Sequence, residues 1–155
     1  HYGISSIRPN VVRSWVPHTN LASVITQYSL IDKRPEEFTL NYLSQHGVGV
    51  IVRGAIAKGY LVGKPSMDLL GHSSSDIQYF TQRLIELSQD PPYSPLHLAI
   101  AFTLGHPSTA TVTVGASRAS HIIQSAELMQ LPPIPAELYD ALNALTPAFA
   151  YDSHR

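Results

Sequence analysis

Hydrophobic positions along the chain follow two spacings that alternate. Short apolar runs rich in β-branched residues, bounded by glycine, proline or serine, predict strands near residues 2–5, 22–28, 48–52 and 109–114. Between and after them, apolar residues recur every three or four positions and predict helices from Pro9 onward and over 35–46, 77–87, 95–104, 118–129 and 136–145. The pattern predicts an α/β fold of four strand–helix units around a parallel sheet, with a helix at the end.

Serines and prolines mark the expected helix boundaries. Ser74 or Ser75 is expected to cap the helix over 77–87, and Ser117 the helix that starts at Arg118. The run Asp90-Pro91-Pro92-Tyr93 is expected to separate two helices. The connection over residues 54–71 is longer than most loops, and loops of this length are often functional.

The carboxyl ends of the four predicted strands carry residues suited to a ligand. They end at Ser5-Ser6, Gln27-Tyr28, Arg53-Gly54 and Gly115-Ala116-Ser117. In parallel α/β folds, ligands bind at this edge of the sheet. Glycine and serine there let backbone N–H groups approach a phosphate, although tight turns and helix caps use the same residues. These residues favour a phosphate-bearing ligand across the strand tips.

Composition excludes several classes of protein. The chain of 155 residues is 44% hydrophobic and 14% charged, which is typical of a globular protein, and a formal net charge of −1 gives no basic patch for nucleic acid. It has no cysteine, which excludes disulfides and thiolate metal sites and is consistent with a cytoplasmic location. No apolar run reaches the roughly 20 residues of a membrane span. The absence of a first Met and a start within a strand suggest a piece of a longer protein.

Three other site types are weaker interpretations. Residues 59–66, Gly-Tyr-Leu-Val-Gly-Lys-Pro-Ser, are one residue short of a P-loop and have Pro65 at the position of the magnesium-binding hydroxyl. Ser73, Ser74 and Ser75 lack the Gly-x-Ser-x-Gly turn of a serine hydrolase. The histidines show no paired metal-ligand spacing, so no metal is expected; His121 is the one kept as a candidate ligand-binding residue.

Five short motifs, in this order and spacing, resemble the aldo-keto reductase family. They are Gly3-Ile4-Ser5-Ser6, Gln27-Tyr28-Ser29-Leu30, residues 47–52, residues 57–64 and Val114-Gly115-Ala116-Ser117. The resemblance implies a TIM (β/α)8 barrel of which this chain is the C-terminal half in a single domain over 1–155. It also implies that residues 54–71 are the cofactor-covering loop and residues 135–155 the terminal helix and tail.

Family members reduce aldehydes or ketones with NADPH, and the resemblance implies a set of cofactor-binding positions. Ser5 matches the serine at the nicotinamide amide, while the usual glutamine position is Ile25, so Gln27 is a substitute on the same strand face. Arg53 stands where many members stack a tyrosine on the nicotinamide ring, and a guanidinium can also stack. The pyrophosphate segment corresponds to Gly54, Ala55 and Ile56, with charge from Lys58 and Lys64.

The adenosine end corresponds to the last strand–helix unit. The 2′-phosphate is expected beside Gly115, Ala116 and Ser117, with His121 and Gly115 replacing the family's frequent cations, and adenine is expected beside Gln124 and Ser125. These departures leave NADH possible besides NADPH.

The family's catalytic Asp, Tyr, Lys and His lie on the first four strand–helix units, so the resemblance implies that this chain carries none of them. The leading hypothesis is therefore the cofactor-binding half of a carbonyl reductase, inactive alone. A non-catalytic cofactor-binding or regulatory module and a structural fragment that binds only with its missing half are the alternatives. Unpaired strand edges also predict self-association.

Overall fold

The computed structural model describes residues 1–89, 92–147 and 149–153. Its strands are β1 (Tyr2–Ser5), β2 (Leu21–Gln27), β3 (Gly49–Arg53) and β4 (Thr109–Thr113). Its α-helices are α1 (Pro9–Trp15), α2 (Thr39–Gln45), α3 (Ser74–Leu87), α4 (Pro95–Leu104), α5 (Ala119–Glu127) and α6 (Ala136–Ala144). Short 3₁₀ helices occupy Val16–His18, Arg34–Glu37, Ala57–Val62 and Leu128–Gln130.

The four strands form one parallel sheet in the order β1-β2-β3-β4. One face is the core: Val24, Thr26, Val50 and Val52 are each 0% exposed. These positions alternate with residues on the opposite side because successive strand side chains point to opposite faces. We call that opposite side the open face; its aligned rows are Ser5, Ile25, Ile51 and Thr111, then Gln27, Arg53 and Thr113. The four parallel strands alternating with helices that the sequence predicts are confirmed.

Several predicted helix boundaries were wrong. The cap of α3 is Ser73, not Ser74 or Ser75, because Ser73 and Asp76 form a reciprocal capping box. Ser117 does not cap α5; its N-cap is Arg118, which makes no side-chain cap hydrogen bond. The predicted helix over 35–46 is interrupted at Phe38, where the backbone leaves helical geometry between the 3₁₀ turn and α2.

The break between α3 and α4 was predicted at residues 90–93. Asp90 and Pro91 lie outside the described residues, and Tyr93 precedes the N-cap Ser94, whose side chain accepts from the His97 backbone N–H. α4 is the most buried helix; Leu98, Ala99 and Phe102 are 0% exposed. Its predicted bounds, 95–104, are confirmed. Within the described ranges, no helix is long and apolar enough to cross a membrane.

Candidate functional site

A cavity of about 1280 Å³ lies beyond the ends of β3 and β4. Its walls come from four segments that are distant in sequence: the connection after β3, the start of α4, the end of β4 with the following loop, and α5. Ligand cavities for drug-sized molecules span roughly 300–1,000 Å³, so this one is large enough for an extended ligand such as a dinucleotide. The two glycine-bearing strand tips, Gly54 and Gly115, line it together.

Most of the residues predicted to bind the cofactor line this cavity. From the first predicted segment these are Gly54, Ala55, Ile56, Lys58 and Lys64; from the second, Gly115, Ala116, Ser117, His121, Gln124 and Ser125. The remaining three, Ser5, Gln27 and Arg53, lie outside the cavity lining. They belong to the open face of the sheet, at the ends of β1, β2 and β3.

Backbone strain shapes the first wall. Ala57 and Lys58 have φ of 47° and 59°, and Gly59 has φ of 94°. A Cβ atom disfavours this left-handed region, so Ala57 and Lys58 each cost of order 1–3 kcal/mol and are held there by their surroundings, whereas glycine adopts it freely. The turn is held by backbone hydrogen bonds from Ala57 to Gly54 and from Gly59 to Ile56, both 2.8 Å. As a result, the loop folds back and the exposed side chain of Lys58 is kept on the cavity wall.

The charges around the cavity are mainly cationic. Lys58 and Lys64 are exposed on the loop, and Lys64 Nζ lies 5.7 Å from the centroid of the Tyr60 ring. His121 adds an imidazole from α5, and Glu127, near the end of the same helix, is the acidic member of the lining. Two lysines against one carboxylate favour an anionic ligand.

The start of α5 is open to a ligand. No acidic residue lies in its first turn, and no side chain in the described part of the chain caps its first N–H groups. A helix N-terminus in this condition attracts an anion through its N–H groups and dipole. A Cβ built on Gly115, just before the helix, would meet no atom of the described residues within 4 Å, so this backbone is accessible from the cavity.

Ser94, Pro95 and Leu96, at the start of α4, line the cavity but were not predicted as site residues. The topology could have indicated them. In a strand–helix unit, the helix that leads back to the next strand begins at the edge of the sheet where the strands end. Leu128 and Leu131 also line it and were missed, because two apolar residues near a helix end look the same as core residues in a sequence.

At the end of β2, Gln27 makes two side-chain hydrogen bonds of 2.8 Å. Its Nε2 donates to Asp32 Oδ2, and its Oε1 accepts from Arg53 Nη1. Asp32 also accepts from Arg34, and this hydrogen bond raises the pKa of the Arg34 guanidinium. Gln27 and Arg53, on the open face, are thus joined by hydrogen bonds to the ion pair of Asp32 and Arg34, which follows β2 in the chain.

Comparison with known proteins identifies the fold. Residues 1–147 match the sequence profile described as the aldo/keto reductase family. The chain belongs to that family. The four parallel strands and their helices correspond to the C-terminal half of its (β/α)8 barrel, which confirms the fold class predicted from sequence.

Its relatives are about twice as long. The chain is 33% identical over 163 aligned residues to the uncharacterized oxidoreductase YqkF of Bacillus subtilis (strain 168), covering 100% of this chain and 53% of that protein. Aldo-keto reductase AKR11C1 from Bacillus halodurans, in its holo form, superposes with a TM-score of 0.89 at 32% identity, again over 100% and 53%. The glycerol dehydrogenase AKR11B4 from Gluconobacter oxydans shares the fold at a TM-score of 0.78 and 16% identity, over 96% of this chain and 52% of that one.

Proposed function

We propose that this chain supplies the cofactor-binding half of an NAD(P)H-dependent aldo/keto reductase that reduces aldehydes or ketones. The observation that carries the proposal is the single cavity lined by both Gly54 and Gly115. The family resemblance implies that the pyrophosphate binds at Gly54 and the adenosine 2′-phosphate beside Gly115. Their convergence on one large, cation-lined cavity supports both assignments.

The residues present fit a dinucleotide phosphate. Lys58 and Lys64 supply cations along the loop, and the uncapped start of α5 supplies free N–H groups beside Gly115. Gln124 and Ser125, on the next turns of α5, line the part of the cavity proposed for adenine. When bound, the cofactor supplies the hydride for carbonyl reduction.

We further propose that the catalytic acid–base residues lie on the other half of the barrel. A general acid must come within hydrogen-bond reach of the carbonyl oxygen. The chain spans about half the length of its relatives, and the family resemblance implies that the tetrad lies on the first four strand–helix units of the barrel. The chain alone is therefore expected to bind cofactor without turnover, and its natural partners are that other half and a small carbonyl substrate.

Calorimetric titration of the 155-residue chain with NADPH, NADH and 2′,5′-ADP tests the proposal. We expect the chain to bind NADPH and 2′,5′-ADP. Lys58→Met should weaken this binding, whereas the control Gln45→Met, on the exposed end of α2, should not. A chain that is folded by circular dichroism yet binds none of the three ligands would overturn the cofactor assignment. NADPH consumption with an aldehyde by the chain alone would instead overturn the claim that the acid–base residues lie elsewhere.

A further inference from the structure

The Gln27 side chain connects two groups of opposite charge, the Asp32 carboxylate and the Arg53 guanidinium. Its Nε2 lies 2.8 Å from Asp32 Oδ2, and its Oε1 lies 2.8 Å from Arg53 Nη1. An ionised carboxylate only accepts hydrogen bonds, and a guanidinium only donates them. The amide can therefore satisfy both neighbours in one orientation only, with nitrogen toward Asp32 and oxygen toward Arg53.

Asp32 is a fixed anchor for that amide. It is 0% exposed, and Arg34 Nε and Nη2 donate to its two oxygens at 2.8 and 2.9 Å. A tight turn returns Asp32 to the end of β2, closed by backbone hydrogen bonds in both directions between Ser29 and Asp32. The Arg34 guanidinium in turn lies 4.9 Å from the centroid of the buried Tyr151 ring. A buried carboxylate that accepts two hydrogen bonds from one guanidinium is held, with its partners, in a single geometry.

Arg53 contrasts with this anchor because its side chain is exposed on the open face. A free arginine of this kind samples many rotamers, and ordering it costs about 2 kcal/mol. The hydrogen bond that Arg53 Nη1 donates to Gln27 Oε1 restricts that sampling. Gly54 allows the arrangement: it has φ of 78°, and a Cβ there would lie 3.3 Å from Gln27 Cγ. The same glutamine therefore hydrogen-bonds to Arg53 and lies beside the first residue of the cavity wall, where a larger residue would crowd it.

We propose that Gln27, oriented by Asp32, is a positioning residue that fixes the Arg53 guanidinium at the nicotinamide end of the cofactor site. The inference rests on the proposed function, since Arg53 is the residue that the family resemblance places against the nicotinamide of that cofactor. It replaces the expectation that Gln27 itself holds the nicotinamide amide: Gln27 acts on the ligand through Arg53.

A double-mutant cycle tests the inference with the 155-residue chain. Gln27→Met, Arg53→Met and the double variant are titrated with NADPH and with 2′,5′-ADP, which lacks the nicotinamide end; Gln45→Met is the matched control. Each single change in the pair is expected to weaken NADPH binding roughly three- to tenfold. Neither should alter 2′,5′-ADP binding, and the double variant should bind NADPH no more weakly than Arg53→Met.

The other outcomes separate the possible failures. If the unaltered chain binds neither ligand, the proposed function is wrong, and this inference is wrong with it. If that chain binds both ligands and Gln27→Met binds NADPH equally well, the positioning role alone is overturned. Equal weakening of both ligands would show that Gln27 is merely structural. Additive losses in the double variant would show that Gln27 contacts the cofactor directly.

Discussion

The ammonium group of Lys33 donates a 2.9 Å hydrogen bond to the backbone carbonyl of Asn143, 110 residues later in the chain. Lys33 is only 5% exposed, and its Nζ also lies 3.4 Å from the Thr146 carbonyl. These carbonyls lie at the end of α6, where the last helical C=O groups lack helical partners and the dipole favours a cation. Lys33, at the start of the 3₁₀ turn that follows β2, thus fastens the end of the last helix to that turn.

Lys33→Met is expected to lower the free energy of unfolding by about 1.5–3 kcal/mol, the range for a hydrogen bond that involves a charged group. Methionine retains the apolar stem but removes the donor from both carbonyls, of which that of Thr146 is buried. Urea denaturation measures the loss, with Lys58→Met on the exposed loop as the control. Equal midpoints for the two variants would show that Lys33 does not hold α6.

Gly105 is needed because of Tyr139. A Cβ built on Gly105 would overlap the Tyr139 ring, which stacks on Phe102 with a centroid separation of 5.5 Å. The backbone of Gly105 is ordinary, with φ of −67°, so alanine meets only this steric conflict. Gly105→Ala is expected to cost about 1–3 kcal/mol, the usual cost of overpacking.

Two comparisons isolate that contact. Gly115→Ala, where the new Cβ meets open space, should leave the melting temperature nearly unchanged. In a Tyr139→Leu background, which removes the ring, Gly105→Ala should cost much less. The same loss in both backgrounds would mean that the Tyr139 ring is not the cause.

The sheet and the cavity could be predicted from sequence because both follow from repeated local patterns. The β-branched run that ends at Val52 predicts a strand, and parallel strands bring their ends to one edge, which placed Gly54 near Gly115. The sequence did carry the signal for the cap of α3: among three consecutive serines, only Ser73 stands three residues before Asp76, and this spacing is typical of a capping box. The partner of Gln27 could not be predicted, since Asp32 returns to it through a turn that no spacing rule identifies.

The burial of two histidines predicts that acid lowers the stability of the fold. Desolvation lowers the pKa of His97 and of His106, and at His106 the nearby Glu36 partly opposes this. With folded pKa values below the unfolded value of 6.5, the unfolded state binds more protons as the solution is acidified. The corresponding stability is therefore present above about pH 6.5 and is lost as the pH falls toward the lowered values.

The melting temperature should consequently fall between pH 7 and pH 5, and His97→Met should reduce that fall. His97 is 6% exposed, and its Nδ1 has no hydrogen-bond partner among the described residues, so removing the ring leaves no donor or acceptor unpaired. His18→Met, at an exposed site, is the control. An unchanged pH dependence in His97→Met would rule out this residue as the source.

Exposed edges and apolar side chains predict self-association of the chain. β1 and β4 are the edges of the described sheet. Trp15, whose ring meets that of Tyr2 on β1, is 43% exposed, and Ile122 and Ile123 on α5 are 63% and 57% exposed. Unpaired strand edges next to apolar surface drive association. Sedimentation velocity should show species larger than a monomer, reduced by Ile123→Lys; a monodisperse monomer that melts cooperatively would contradict this.

Gly115→Asp tests the proposed 2′-phosphate site by charge. The position has room for a side chain, so aspartate should be accepted by the fold while its carboxylate approaches the phosphate and obstructs the backbone. NADPH binding should weaken by about tenfold or more, equivalent to roughly 1.4 kcal/mol. NADH, which lacks the 2′-phosphate, should lose less, and added salt should reduce the NADPH effect because exposed like charges are screened. Gly115→Ala separates obstruction from repulsion: if alanine and aspartate weaken NADPH equally, or if calorimetry shows unchanged affinity for both, the phosphate does not lie beside Gly115.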